Sequence, residues 1–302
     1  MIKYFIKNIF LFFIKDPALP QQLSHSNSPM PEGPEVKTVT TTLKKQLIGK
    51  ELGRLWHSSL YLRKAVDYGE FRFFENKKIS DISCYGKVIF FEIENKTSLL
   101  AQLGMTGQLK VEDQDTPLAL HTHLRWPLKE SAQEIRYVDP RRFGLIDVCD
   151  EEKKECIINR LGPDPFCMTT KDYLPLIEAM KKSSRAIKEV LLDQAVIVGV
   201  GNIYASESLF MAGIDPKILA CKISTARYQK LIAAVKDVML LAYKNNGTSF
   251  SNYVDGSGKK GSNLEYLKVF QKEGENCSRC QTSIVRIKQG SRSTFYCPNC
   301  QK

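Results

Sequence analysis

Residues 277–300 read CSRCQTSIVRIKQGSRSTFYCPNC, two C-x-x-C pairs separated by 16 residues. Each pair forms a turn that can aim two thiolates at one ion, and the spacer is the length of a β-hairpin. Four thiolates suit a tetrahedral, closed, structural site, so one Zn²⁺ is expected on Cys277, Cys280, Cys297 and Cys300. Unliganded cysteines or a redox pair are the plainer alternatives. The other five of the nine cysteines (Cys84, Cys149, Cys156, Cys167, Cys221) share no spacing. An odd, clustered set is a poor disulfide framework and points to a reducing, cytoplasmic setting. From Phe270 to Lys302 six basic residues face two acids. That balance predicts a nucleic-acid contact module rather than a neutral clip.

Upstream of the cysteines the texture is helical. Ser224 to Tyr243 places Tyr228, Leu231, Ile232, Val235, Val238, Met239 and Ala242 on one face. Helices are also expected over Ala186–Leu192 and Ile203–Ala212, joined by the Gly-rich turn Val198–Asn202. A flexible loop follows at 254–263. Before the break at Leu161–Pro165, alternating segments at 87–93, 98–103, 120–126 and 134–138 predict a mostly antiparallel β domain, a sandwich or partly open barrel. Pro34 and Glu35 open an amphipathic helix with Val36, Val39, Leu43 and Leu47 on one face. The fold class is therefore α+β. Its segments are an extension over 1–29, a β domain over 30–150, a helical domain over 160–265 and a finger over 266–302.

The 302 residues carry 44 Lys and Arg against 33 Asp and Glu, a net +11. Such an excess favours a polyanionic partner. The longest apolar run is far short of the roughly 20 residues of a membrane span, so a transmembrane chain is excluded, and the expected polyanion is nucleic acid and not a membrane. Residues 1–29 are Phe- and Ile-rich, then Pro- and Ser-rich, with three Lys and no Arg. The apolar run Ile9–Ile14 is short for a signal peptide and an organellar presequence stays open, but the plainest reading starts the working chain at Met30.

Three turns carry candidate chemistry. Val198-Gly-Val-Gly-Asn202 opens a helix and offers N–H groups to a phosphate, or is a tight turn with Asn202 as cap. Asp139-Pro-Arg-Arg-Phe-Gly144 pairs two arginines with an exposed Phe, as a wedge into a base stack requires; Phe143 packed inward is as common. Leu103-Gly-Met-Thr-Gly107 holds Met105 at its centre, where a core Met is the bland reading. His121 and His123 fall on one face of a strand, as an exposed or phosphate-facing pair.

Met30-Pro-Glu-Gly-Pro-Glu-Val36 resembles the amino terminus of the formamidopyrimidine-DNA glycosylase/endonuclease VIII family. Lys87 after Tyr-Gly, then LGMTG, DPRRFG, VGVGNIYASE and the finger with RSTFYC follow in family order, so the resemblance spans residues 30–302. It implies a β-sandwich, a helix–two-turn–helix domain and a zinc finger acting as a monomer on damaged double-stranded DNA. It further implies Pro31 as nucleophile, Glu32 as proton donor and acceptor, and Lys87 in base loss or phosphate binding, with Glu35 in support. His121, Arg141, Arg142, Asn202 and Arg292 would contact DNA, while Met105, Arg141 and Phe143 would fill the hole left by the flipped nucleotide. The 254–263 loop would cover an oxidised purine.

A Pro31 still joined to residue 30 is a tertiary amide with no lone pair for attack. A start at Met30, or cleavage before Pro31, is therefore required for chemistry; otherwise a zinc-dependent DNA-binding protein without catalysis results. Gly33 matches the endonuclease VIII variant, which acts on oxidised pyrimidines. The two wedge turns and the loop favour the oxidised-purine type.

Overall fold

The computed structural model describes residues 30–63, 69–93, 97–250 and 253–302. The expectations placed on residues 1–29 lie outside them. Helix α1 (Gly33–Leu47) begins where Glu35 turns back to accept the Glu32 N–H at 2.9 Å. Thr38, Thr40, Thr41 and Thr42 would weaken a helix by competing for its backbone. Here each hydroxyl donates to the carbonyl four residues earlier, at 2.8–2.9 Å. Val36, Val39, Leu43 and Leu47 are buried, as the pattern predicts.

Eight strands follow: β1 (Trp56–His57), β2 (Ile79–Tyr85), β3 (Val88–Ile93), β4 (Thr97–Gln102), β5 (Gln108–Asp113), β6 (Thr122–Pro127), β7 (Gln133–Val138) and β8 (Leu145–Asp150). They form two antiparallel sheets, ordered β1-β6-β7-β5 and β2-β3-β4-β8. Phe71, Phe74, Phe91, Trp126 and Tyr137 belong to the shared core. The β2–β3 hairpin pairs Tyr85 with Val88, leaving Gly86 and Lys87 as its two-residue turn. Gly86 lies at φ +57°, the left-handed conformation such turns demand. A Cβ there would sit 2.1 Å from Val198, so the hairpin tip is pressed against the Gly-rich turn.

The helical part contains α2 (Glu151–Ile158), α3 (Tyr173–Lys181), α4 (Ile187–Leu191), α5 (Asn202–Ala212) and α6 (Thr225–Lys244). Gly213 ends α5 at φ +67°, and all seven residues expected on the inner face of α6 are buried. Two helices escaped the sequence reading. EEKKECII in α2 buries no residue and so has no apolar stripe; Asp150 starts it by accepting the Lys153 N–H at 2.8 Å. In α3 a Pro sits in the first turn and only Leu176, Ile177 and Met180 point inward. The hairpin β9 (Val285–Gln289) and β10 (Arg292–Tyr296) occupies the spacer between the cysteine pairs. Phe270, Cys277, Phe295 and Cys297 join the core of the helical part, so the finger is packed on rather than tethered. Among the described residues no helix is long and apolar enough to cross a membrane.

Candidate active site

Pro31 and Glu32 are buried where α1 begins, while Met30 before them is 37% exposed. The Glu32 carboxylate reaches the start of α5. It accepts the N–H groups of Gly201 (2.9 Å), Ile203 (2.9 Å) and Tyr204 (3.3 Å). This corrects the reading of the 198–202 turn as a phosphate cradle: the helix N-terminus does bind an anion, but the anion is the chain's own Glu32. Asn202 is not the cap either. Gly201 holds that position and Asn202 is the first helical residue. Burial drives the Glu32 pKa up to about 7, against the pull of Lys87. Glu35 is likewise raised by burial; it accepts from Tyr204 Oη and from the Thr248 N–H at 2.8 Å.

Lys87 arrives from the β2–β3 turn and donates to Val200 O at 3.2 Å. Burial lowers its pKa. Opposite, Asn202 Nδ2 donates to Ser293 O at 3.0 Å, which joins α5 to the finger hairpin beside the exposed Arg292. Asn202 Oδ1 is buried and accepts no bond. Lys188, which the sequence reading missed, donates to Ser293 O (3.0 Å) and Thr294 Oγ1 (2.7 Å). Burial drives its pKa down to about 7. The available signal was a lysine among Ile187, Val190 and Leu191 on the buried side of α4.

The two wedge turns are fused. Thr106 Oγ1 donates to Asp139 at 2.5 Å and accepts the Arg141 N–H at 3.2 Å. A Cβ on Gly104 would lie 2.6 Å from the backbone of Phe143. Phe143 is 46% exposed with the Arg141 guanidinium 4.7 Å over its ring, and Met105 is half-buried. The turns thus bring Met105, Arg141 and Phe143 together, with Arg142 exposed beside them at φ +55°.

The histidine pair does not hold. His121 is exposed and precedes β6 in the left-handed region at φ +68°. His123 is buried and bonded to Ser58 Oγ (3.0 Å) and Asp139 O (3.1 Å), so it braces the wedge turn and faces no solvent. The bulged register between Thr122 and Leu124 breaks the expected alternation. The 254–263 loop was expected to be flexible. It folds as a turn closed by Asp255, which accepts the N–H groups of Ser257 and Lys259 at 2.8 and 2.9 Å.

Cys277, Cys280, Cys297 and Cys300 bring their Sγ atoms within 4.8 Å of one another, a donor set that fits one tetrahedral metal ion. The expectation that the finger is no clip needs correction at one residue. Arg279 donates to Phe210 O (2.9 Å) and Met211 O (3.3 Å) and stacks on Phe210, so it fastens the finger to α5. Glu207, also unforeseen, accepts the N–H groups of Lys268, Val269 and Phe270 at 2.8–2.9 Å and fixes the entry to the finger.

Residues 30–146 match the family model of the formamidopyrimidine-DNA glycosylase N-terminal domain. Residues 161–253 match its H2TH domain, and residues 274–302 the zinc finger found in FPG and IleRS. The formamidopyrimidine-DNA glycosylases of Stutzerimonas stutzeri and Carboxydothermus hydrogenoformans are each 36% identical to this chain, over 273 and 275 residues. In both cases 90% of this chain and 100% of the relative are covered. The Lactococcus lactis Fpg in complex with an abasic site containing DNA superposes with a TM-score of 0.82 at 30% identity, over 90% of this chain and 99% of that one. The same enzyme bound to an oxidized pyrimidine containing DNA gives 0.82 at 30% identity, over 90% and 100%.

Proposed function

This chain belongs to the formamidopyrimidine-DNA glycosylase family, and on that premise we propose how its residues excise a damaged base. It is a base-excision repair DNA glycosylase and abasic-site lyase. The secondary amine of a free Pro31 attacks C1′ of the flipped nucleotide, and the base leaves with the glycosidic electron pair and a proton. The C1′–O4′ bond then breaks as O4′ takes a proton from Glu32, which opens the sugar and leaves an iminium ion that acts as an electron sink. Loss of a C2′ proton then expels the 3′ phosphate, and a second elimination expels the 5′ phosphate.

Glu32 is the group that gives and takes protons at the sugar, since a carboxyl titrating near 7 populates both forms at neutral pH. Lys87 stabilises the negative charge that develops on the departing groups. Glu35 fixes the Glu32 backbone through the 2.9 Å bond from its N–H. Asn202, Arg292 and Lys188 hold the phosphates flanking the lesion, with Arg142 and His121 on the backbone nearby. Met105, Arg141 and Phe143 occupy the gap in the stack, Arg141 facing the orphaned base. The four cysteines hold one Zn²⁺ as a structural ion, and one chain works on one duplex.

Oxidised purines are the favoured substrates. Gly33 does not argue for pyrimidines, because its Cβ position is filled from the protein side: Met239 Cε would lie 2.8 Å away and Gly199 Cα 3.1 Å. Close packing against Gly199 and Met239 thus gives Gly33 a reason that does not involve the lesion.

The observation that carries the reading is the buried Glu32 carboxylate on the α5 N-terminus, next to Pro31 and Lys87. Borohydride trapping on duplex DNA carrying 8-oxoguanine opposite C tests it. A chain starting at Met30, with that Met removed, should form a covalent adduct, and one retaining residues 1–29 should not. No adduct from either, with duplex binding intact, would leave a non-catalytic DNA-binding protein.

A further inference from the structure

Glu32 and Lys87 are mounted on one short piece of backbone, and a side chain outside both of them clamps it. Gly201 N–H holds Glu32 Oε2 at 2.9 Å, Val200 O holds Lys87 Nζ at 3.2 Å, and Gly199 O holds the Gly33 N–H at 2.8 Å. Residues 198–201 lie outside any helix or strand, so no ladder fixes this segment. Gln194 bridges it instead. Its Oε1 accepts the Gly199 N–H at 2.9 Å, and its Nε2 donates to Val200 O at 2.8 Å and Leu192 O at 3.2 Å. Its own carbonyl accepts the Gly162 N–H at 2.8 Å, which anchors the clamp to the segment entering the helical part.

We propose that Gln194 is a positioning residue for base release: its carboxamide sets the 199–201 backbone and so aims the Glu32 carboxylate and the Lys87 ammonium at the reacting sugar. The proposal rests on the roles given to Glu32 and Lys87 above. A carboxamide offers a donor and an acceptor on one rigid plane at every pH, as Val200 O and Gly199 N–H together require. Gly199 sits at φ +83°, a conformation with several open alternatives for glycine once the clamp is gone. Lys87 and Gln194 share Val200 O, so a shift of that carbonyl moves the lysine as well. The ionisable groups around Glu32 are Lys87, Glu35, Lys188 and Tyr204, with Arg292 next to the two lysines. The Gln194 carboxamide bonds to Leu192 O, Val200 O and the Gly199 N–H and not to these groups, so its effect on Glu32 travels through the turn.

The test is single-turnover release of 8-oxoguanine by Gln194→Met, which keeps length and bulk but removes donor and acceptor. Affinity is read in parallel on a duplex with a tetrahydrofuran abasic analogue. The expected result is a rate lowered roughly tenfold with affinity held within about twofold. The pH limb near 7 should move upward, because the ionised Glu32 loses well-aligned N–H donors. Gln194→Glu provides a second arm if the Met variant folds poorly. When ionised it presents an oxygen, not a donor, to Val200 O, and it should show the same loss. Wild-type rates and an unmoved limb in both variants would overturn the proposal. So would a rate loss matched by an equal loss of duplex affinity with the limb unmoved, since that is what a purely structural glutamine gives. Absence of release by the wild-type chain would instead strike the enzyme reading itself, and the proposal would fall with it.

Discussion

Replacing Lys188 with Met should make the protein more stable at neutral pH and worse at holding DNA. Lys188 is 1% exposed and titrates near 7 rather than its ordinary 10.5 because burial opposes its charge. With each pKa step worth about 1.36 kcal/mol and the native site half-protonated, burying this lysine opposes folding by about 4 kcal/mol at pH 7. Methionine removes that penalty. It also removes the bonds to Ser293 O and Thr294 Oγ1. Ser293 O keeps the Asn202 amide, so the loss is on the order of 2 kcal/mol. The net expectation is a gain of about 2 kcal/mol at pH 7.

The sign reverses with pH. Between about 7 and 10.5 the native state binds fewer protons than the unfolded chain, so wild-type stability rises with pH through that window. The variant lacks this rise, and its advantage disappears at about pH 9, where the remaining penalty equals the roughly 2 kcal/mol of lost bonds. Urea unfolding of the metal-loaded protein, followed by far-UV circular dichroism at pH 7 and 9.5, measures both effects. A second readout concerns function: a phosphate brought beside Lys188 restores its charge, so duplex binding at pH 8 should take up close to one proton, in wild type only. Calorimetry in buffers of different ionisation enthalpy detects it. A variant less stable at pH 7, or one with the wild-type pH slope, would refute the reasoning.

Glu32→Gln should abolish base release while retaining affinity for the abasic-analogue duplex. In the wild type, single-turnover release should fall as pH rises through about 7, where the raised Glu32 carboxyl loses its proton. Glu207→Gln turns an amide group toward N–H donors held at 2.8–2.9 Å and should lower the urea midpoint by the equivalent of about 2–4 kcal/mol. Arg142→Gln should reduce the slope of log affinity against log salt by about one. Phe143→Ala should slow base release on duplex DNA more than on a single strand, since only the duplex has a stack to hold open.

What the sequence revealed and what it hid follow one physical division. Features fixed by local spacing were legible: the four cysteines, the buried faces of α1 and α6, and the apolar strand that Lys87 leads into. Features that depend on which group occupies another were hidden. Nothing near Glu32 announces that it will cap a helix starting 170 residues later. The same blindness covers Lys188, Gln194 and Glu207, whose partners lie on a turn or on the finger. His123 was misplaced for a different reason, because a bulge in β6 shifts the face it points to.

The use of the α5 N-terminus by Glu32 has a consequence for the whole architecture. A helix N-terminus favours an anion, and here that preference works against burial, which alone would raise the Glu32 pKa further. The balance near 7 suits a group that must both give and take a proton. The same N–H groups are then unavailable to a substrate phosphate, and the ligands proposed for it are side chains: Asn202 from α5, Lys188 from α4 and Arg292 from the finger. Ser293 O joins the first two to the hairpin that carries the third. On that proposal the finger completes the phosphate site and is more than an added grip on DNA. Cys297→Ser should accordingly lose metal and weaken duplex binding by an order of magnitude or more, while the pH limb of Glu32 stays near 7, because no bond to Glu32 comes from the finger. A metal-free variant with normal affinity, or one whose limb moves with the metal, would show that the proton site and the phosphate site are not separable in this way.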